Sequence, residues 1–192
     1  MCKSYEFMIV VGDPSYHILG VAETRLGPTV DDNLFNIPGY SIIYQDRNTG
    51  GGGVAIYVRD TLKVKILSKS EPTSPGKPEV LEYLACQVWQ GDGPPVLVFL
   101  VYRPPNISFL PPKNILKKLQ TKQCPLVKDL RKLCSDYSHK IVMGDCDADL
   151  LSKSSEAESL KNLVNKLFFK IVNQGPTNHV GNSHMYRRDF CR

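Results

Sequence analysis

The sequence predicts an α+β fold, a sandwich of sheets and helices, and three observations point there. Short apolar runs of strand length recur along the 192 residues. Two of them flank a glycine tract in the manner of a hairpin, and two stretches with apolar residues at helical spacing fall in the second half. Hairpins mixed with helices argue against a purely parallel, doubly wound sheet. The length suits one domain with room for a sizeable core. The one boundary candidate, the polar loop 68–79, has no flank large enough to fold alone, so residues 1–192 read as a single domain.

The elements follow in order. "YHILGVAET" is a short apolar run ending in an acid, Glu23. "GYSIIYQDR" and the alternating, β-branched "VAIYVR" flank "GGGG", Gly50 to Gly53, and read as a hairpin. "SKSEPTSPGKPE" is a loop, "VLEYLACQVW" a strand and "GDGPP" a turn; "VLVFLVYR" is a strongly apolar strand halted by "PPN". "PLVKDLRKLCSDY" has helical spacing, with Pro125 suited to a first helical position. "HKIVMGD" reads as another buried strand. "SSEAESLKNLVNKLFFKI" reads as an amphipathic helix with a serine cap and early acids. The tail after it is turn-like and then strand-like, and no internal repeat occurs.

Composition narrows the class. At 42% hydrophobic and 22% charged the chain is neither a disordered nor a fibrous sequence. A net charge of +5 and a pI near 8.8 permit an anionic partner without requiring one. Six cysteines without a CxxC pair fit free thiols in a reducing compartment better than a disulfide frame. The early apolar stretch "FMIVV" is too short for a signal segment, and no run nears the roughly 20 apolar residues of a membrane helix. The expectation is an intracellular protein with no membrane contact and no obligate protein partner.

Chemistry gathers where apolar strands end. Glu23, Tyr102 with Arg103, and Asp145 with Asp147 each close such a run. Strand ends collected on one rim of a sheet are the usual geography of an active site. In "HKIVMGDCDADL", Asp145, Asp147 and Asp149 occupy alternate positions, which share a face if the strand continues. Neighbouring carboxylates repel unless a cation or donor neutralises them, and a hard cation such as Mg²⁺ takes oxygen ligands. The alternative is a solvated acidic turn. An EF-hand register beginning at Asp145 fails three times: Leu150 stands where glycine is needed, Lys153 falls among the ligands, and the preceding segment is a strand. The glycine tract opens no helix and suits a flexible hairpin turn rather than a phosphate cradle. His179 and His184 lack CxxC partners for zinc, and no G-x-S-x-G motif supports serine hydrolysis.

"GVAETRL", "GYSIIYQDRNTGGGGVAIYV", "LVYRPPN", "IVMGDCDADL" and "GPTNHVGNS" occur in this order. Together they resemble the endonuclease/exonuclease/phosphatase superfamily, and most closely the endonuclease domain of non-LTR retrotransposons, itself similar to apurinic/apyrimidinic endonucleases. The resemblance runs from about Glu6 to the C-terminus. It implies a two-sheet α/β sandwich, a hydrolase of phosphodiesters in DNA, dependence on Mg²⁺ or Mn²⁺, and a nuclear location. By the same resemblance Glu23 is the metal-ligand glutamate, Tyr102 stands beside the scissile phosphate and Asn106 contacts phosphate. Asp145 is the aspartate of the G-D-x-N motif that orients or deprotonates the attacking water. Asp189, in "RRDF", matches the aspartate that orients a catalytic histidine. Asp147 occupies the motif's asparagine position; a carboxylate there cannot donate to a phosphate oxygen as an amide can. The family's first strand and its last, histidine-bearing strand have no counterpart, so the expectation is a domain incomplete at both termini, with impaired activity. A non-catalytic nucleic-acid-binding remnant or an inactive fragment is the alternative.

Overall fold

The computed structural model describes residues 16–25, 35–45, 52–71, 81–104, 125–146, 148, 150, 153–167 and 169–172. The backbone divides into two compact units, one spanning residues 13–147 and the other combining residues 1–12 with 148–192.

Among the described residues of the larger unit, seven strands form two sheets. The first contains β1 (Ile18–Ala22), β2 (Tyr40–Gln45) and β3 (Val54–Arg59) in the order β1-β3-β2, with antiparallel neighbours. The expected hairpin is the β2–β3 pair, in register from Tyr40 opposite Arg59 to Gln45 opposite Val54. The second sheet contains β4 (Lys63–Lys69), β5 (Glu82–Trp89), β6 (Val96–Tyr102) and β7 (His139–Asp145) in that order. Its first three strands are antiparallel, whereas β7 runs parallel to β6. A parallel neighbour needs a crossover, and helix α1 (Pro125–Asp136) lies within it, beginning at the proline that suited a first helical position.

The core lies between the sheets. Alternate residues of β3 (Val54, Ile56, Val58), β5 (Leu84, Cys86, Val88) and β6 (Val98, Leu100, Tyr102) meet there, all buried. Burial of each large side chain contributes about 1.5–3 kcal/mol. The intervening residues of β6, Leu97, Phe99 and Val101, are buried as well, which explains the unbroken apolar run of that strand. On α1, Asp129 accepts hydrogen bonds from the hydroxyls of Ser68 on β4 (2.5 Å) and Tyr83 on β5 (2.8 Å).

Two expectations change. β4 was not anticipated, and its last two residues, Ser68 and Lys69, fall within the stretch assigned to the 68–79 loop. Its alternation is broken by a register shift between Ile66 and Ser68, and its lysines mark a sheet edge. β7 is not a buried strand: Val142 is 40% exposed and Asp145 is exposed, and among the described residues β7 is the other edge of the sheet.

In the smaller unit, helix α2 spans Ser155–Lys166. Ser154 caps it, its hydroxyl accepting from the Ala157 N–H at 3.2 Å, and Ala157, Leu163 and Leu167 are buried. This is the serine-capped amphipathic helix expected from the sequence. Among the described residues, no helix is long and apolar enough to cross a membrane. The expected strand-like tail and the segment preceding Tyr16 lie outside the described residues.

Candidate active site

The site is built where β1, β6 and β7 end. The chain leaves β1 at Ala22 and enters a turn in which Glu23 (φ 56) and Arg25 (φ 54) both adopt the left-handed conformation. For non-glycine residues this costs roughly 1–2 kcal/mol each, so the surroundings must hold it. Two glycines do. Thr24 N–H donates to the Gly53 carbonyl at 3.2 Å, and Arg25 N–H donates to the Gly52 carbonyl at 2.8 Å. Gly52 (φ 76) and Gly53 (φ 87) are themselves left-handed, and a Cβ on Gly53 would overlap Thr24 Oγ1. The tract does sit in the β2–β3 connection, but these two residues are buried and bonded rather than a loose turn.

Tyr102 ends β6 with its ring in the inter-sheet core, and its hydroxyl donates to Glu23 Oε1 at 2.7 Å. The bond spans the two sheets, joining the exit of β1 to the exit of β6. Asp145 ends β7 directly beside Tyr102 in the parallel register. The preceding Gly144 (φ 140) accepts no side chain, since a Cβ would overlap the Val101 carbonyl. Arg103, buried, ties the two exits together: its N–H donates to the Asp145 carbonyl at 2.9 Å and its Nε to the Cys146 carbonyl at 2.6 Å.

The charges differ in their environments. Glu23 Oε2 lies 3.8 Å from the Arg25 guanidinium, but both side chains are largely solvated, so the pair adds little stability. Burial, and secondarily the Asp145 charge, pushes the Cys146 thiol up to about 11, against the opposing pull of Arg103. Such a thiol is protonated at neutral pH and unsuited to nucleophilic work.

Of the residues expected at the site, Glu23, Tyr102 and Asp145 meet at one rim of the sandwich. Asp147, Asp149, Asn106, Asp189, His179 and His184 lie outside the described residues. β7 ends at Asp145, and Asp147 and Asp149, the other members of the expected shared carboxylate face, are outside the described residues. One residue went unremarked in the sequence: Glu82, buried at the start of β5, whose Oε2 accepts from Gly53 N–H at 2.6 Å. A signal for it existed. Glu82 falls in phase with Leu84, Cys86 and Val88, an acid at an apolar-phase position.

Among the described residues, no cluster of three or more histidine, cysteine or acidic side chains forms a metal cage. Mg²⁺ does not need one, since it keeps several waters and binds through one or two carboxylates together with substrate phosphate. Glu23 fits that demand: a hard oxygen donor, half exposed at the rim, with one oxygen oriented by Tyr102.

No protein-family model matches the chain, and no curated protein sequence matches it. Solved structures do. The human Nocturnin catalytic domain with bound sulfate anion superposes with a TM-score of 0.54 at 15% identity, over 87% of this chain and 63% of that one. The 3′ phosphatase NExo from Neisseria, bound to a product DNA hairpin, superposes with a TM-score of 0.55 at 17% identity, over 84% of this chain and 65% of that one. The chain thus spans a little under two thirds of the length of each. At such identities the likeness concerns the fold: the chain shares a two-sheet α+β sandwich with these two proteins.

Proposed function

We propose that this chain is a divalent-metal-dependent endonuclease of the retrotransposon type, hydrolysing phosphodiester bonds in nuclear DNA. The observation that carries the reading is the bond from Tyr102 to Glu23, with Asp145 next to Tyr102 in the same rim. A metal-binding carboxylate, a phosphate-facing hydroxyl and a water-activating carboxylate are the groups that this hydrolysis requires. The solved neighbour bound to a product DNA hairpin lends support to DNA as the substrate.

In this reading Glu23 holds Mg²⁺, or Mn²⁺, through its solvated carboxylate. The bound cation supplies charge stabilisation at the phosphate. Tyr102, fixed by core packing, orients Glu23 and presents its hydroxyl edge to the phosphate. Asp145 accepts a proton from the attacking water. Asn106 contacts phosphate, Asp147 adjoins the reacting group, and Asp189 belongs to the catalytic set by resemblance alone. In this reading residues 1–192 are one domain.

The departure at Asp147 supports a second reading, a nucleic-acid-binding protein without turnover, since a carboxylate cannot donate to the reacting phosphate as the amide in that position can. A nicking assay on supercoiled plasmid with Mg²⁺, run beside a DNA-binding assay, separates the two. Nicking by the wild type that Asp145→Ala abolishes supports the enzyme. Binding without nicking, unchanged by Asp145→Ala, supports the binding protein.

A further inference from the structure

We infer that Glu82 is a positioning residue for Glu23, setting the direction of the proposed metal-binding carboxylate from inside the core. The inference rests on the reading of Glu23 given above. It starts from an oddity: an acid, 4% exposed, at the head of an otherwise apolar inward row on β5. Glu82 stands opposite Tyr102 in the antiparallel register, so both side chains belong to the inter-sheet face at the rim. Burying a carboxylate is unfavourable unless hydrogen bonds compensate it. A hydrophobic residue at this position would serve packing alone.

The bonds lead to the site. Glu82 Oε2 accepts from Gly53 N–H at 2.6 Å. The carbonyls of Gly53 and Gly52 accept from Thr24 and Arg25 N–H, at 3.2 and 2.8 Å. Those two amides follow Glu23 directly, in the turn that keeps it left-handed with its carboxylate toward the Tyr102 hydroxyl. The relay crosses from the second sheet to the first. It replaces what propensity does not provide, because neither Glu23 nor Arg25 favours the left-handed region unaided. Partners that orient a metal ligand in this way typically change metal affinity by roughly ten- to hundredfold when removed.

The test uses the whole chain, with amide hydrogen exchange read by NMR and Mn²⁺ affinity read by electron paramagnetic resonance. In Glu82→Leu the Thr24 and Arg25 amides should exchange faster, while Val98 and Leu100 keep their protection. Mn²⁺ should bind roughly ten- to hundredfold more weakly. Glu82→Gln, which keeps an acceptor oxygen toward Gly53, should restore both. Unchanged protection at Thr24 and Arg25 in Glu82→Leu would overturn the inference, and so would lost protection with unchanged Mn²⁺ affinity. If Glu82→Leu loses protection throughout the sheet, Glu82→Gln decides. Wild-type behaviour at Thr24, Arg25 and Mn²⁺ supports the relay, and selective loss there with an intact core overturns it. Glu23→Gln marks the other failure: Mn²⁺ binding that ignores this change removes Glu23 as a ligand, and the inference with it.

Discussion

The Tyr102 hydroxyl, at the end of β6, donates a 2.7 Å hydrogen bond to Glu23, just past the end of β1 in the opposing sheet. The ring of Tyr102 is core and its hydroxyl holds Glu23, so one side chain carries packing on one end and orientation on the other. Tyr102→Phe separates these roles. The ring stays and the bond goes, for an expected loss of about 0.5–1.5 kcal/mol in urea unfolding. Mg²⁺-dependent nicking should fall by roughly tenfold or more, since a freed Glu23 samples other rotamers and the phosphate loses a donor. Full nicking activity in Tyr102→Phe would show that the hydroxyl is only a structural tie.

Glu23 should report metal through stability. A ligand that binds only the folded chain stabilises it by about 1.4 kcal/mol at ten times its dissociation constant. The melting temperature of the wild type should therefore climb as Mg²⁺ is titrated. Glu23→Gln, which keeps an acceptor for Tyr102 but loses the charge, should show little response. Equal responses would move the metal elsewhere.

Asp147 tests the chemistry of the departed motif. In the proposed site, replacing it by asparagine would remove a charge that repels phosphate and add an amide donor. Together these are worth one to a few kcal/mol, or roughly tenfold or more in rate. Nicking by Asp147→Asn should exceed that of the wild type. Equal or slower nicking would give Asp147 another partner.

The sandwich was largely legible because its signals are local. The alternation in "VAIYVR", the unbroken run "VLVFLVY" and the serine before "SEAESL" each report an element within a few residues. β4 was missed because "KVKILSK" carries lysines on a sheet edge and a bulge that breaks its period. β7 looked buried because "IVM" is apolar, whereas burial depends on the neighbours a strand finds, and among the described residues β7 pairs with β6 alone. The rim followed from reading which residues end strands; its left-handed turn did not. The conformations of Glu23 and Arg25 depend on Gly52, Gly53 and Glu82, residues between about thirty and sixty positions away, and no local propensity encodes such a contact.

Gly144 shows why a glycine precedes Asp145. It pairs with Val101 in register, has φ 140, and leaves no room for a Cβ beside the Val101 carbonyl. Gly144→Ala combines backbone strain of about 1–3 kcal/mol with overpacking of about 1–3 kcal/mol. The expected loss is therefore about 2–6 kcal/mol, read as a lower urea midpoint with an unchanged slope. A loss below about 1 kcal/mol would mean that the β6–β7 pairing relaxes freely at this point.

Cys86 makes stability fall in alkali. It sits in the inter-sheet core, and burial pushes its thiol from an ordinary 9.0 up to about 12. As pH rises past 9 the unfolded chain releases this proton while the folded chain keeps it, so the folded state binds more protons throughout the window up to about 12. Stability is at its full value below pH 9 and declines as pH approaches 12. Cys86→Ala removes this contribution. The variant should start lower at neutral pH, by about 1–2 kcal/mol for the lost packing, and then decline less steeply in alkali. Tyr57 and Tyr137, whose hydroxyls burial also pushes up, titrate in both proteins and cancel in the comparison. Urea midpoints measured for the pair from about pH 7 to about pH 11 should converge. Parallel curves would show that the Cys86 thiol is reached by solvent before the sandwich opens.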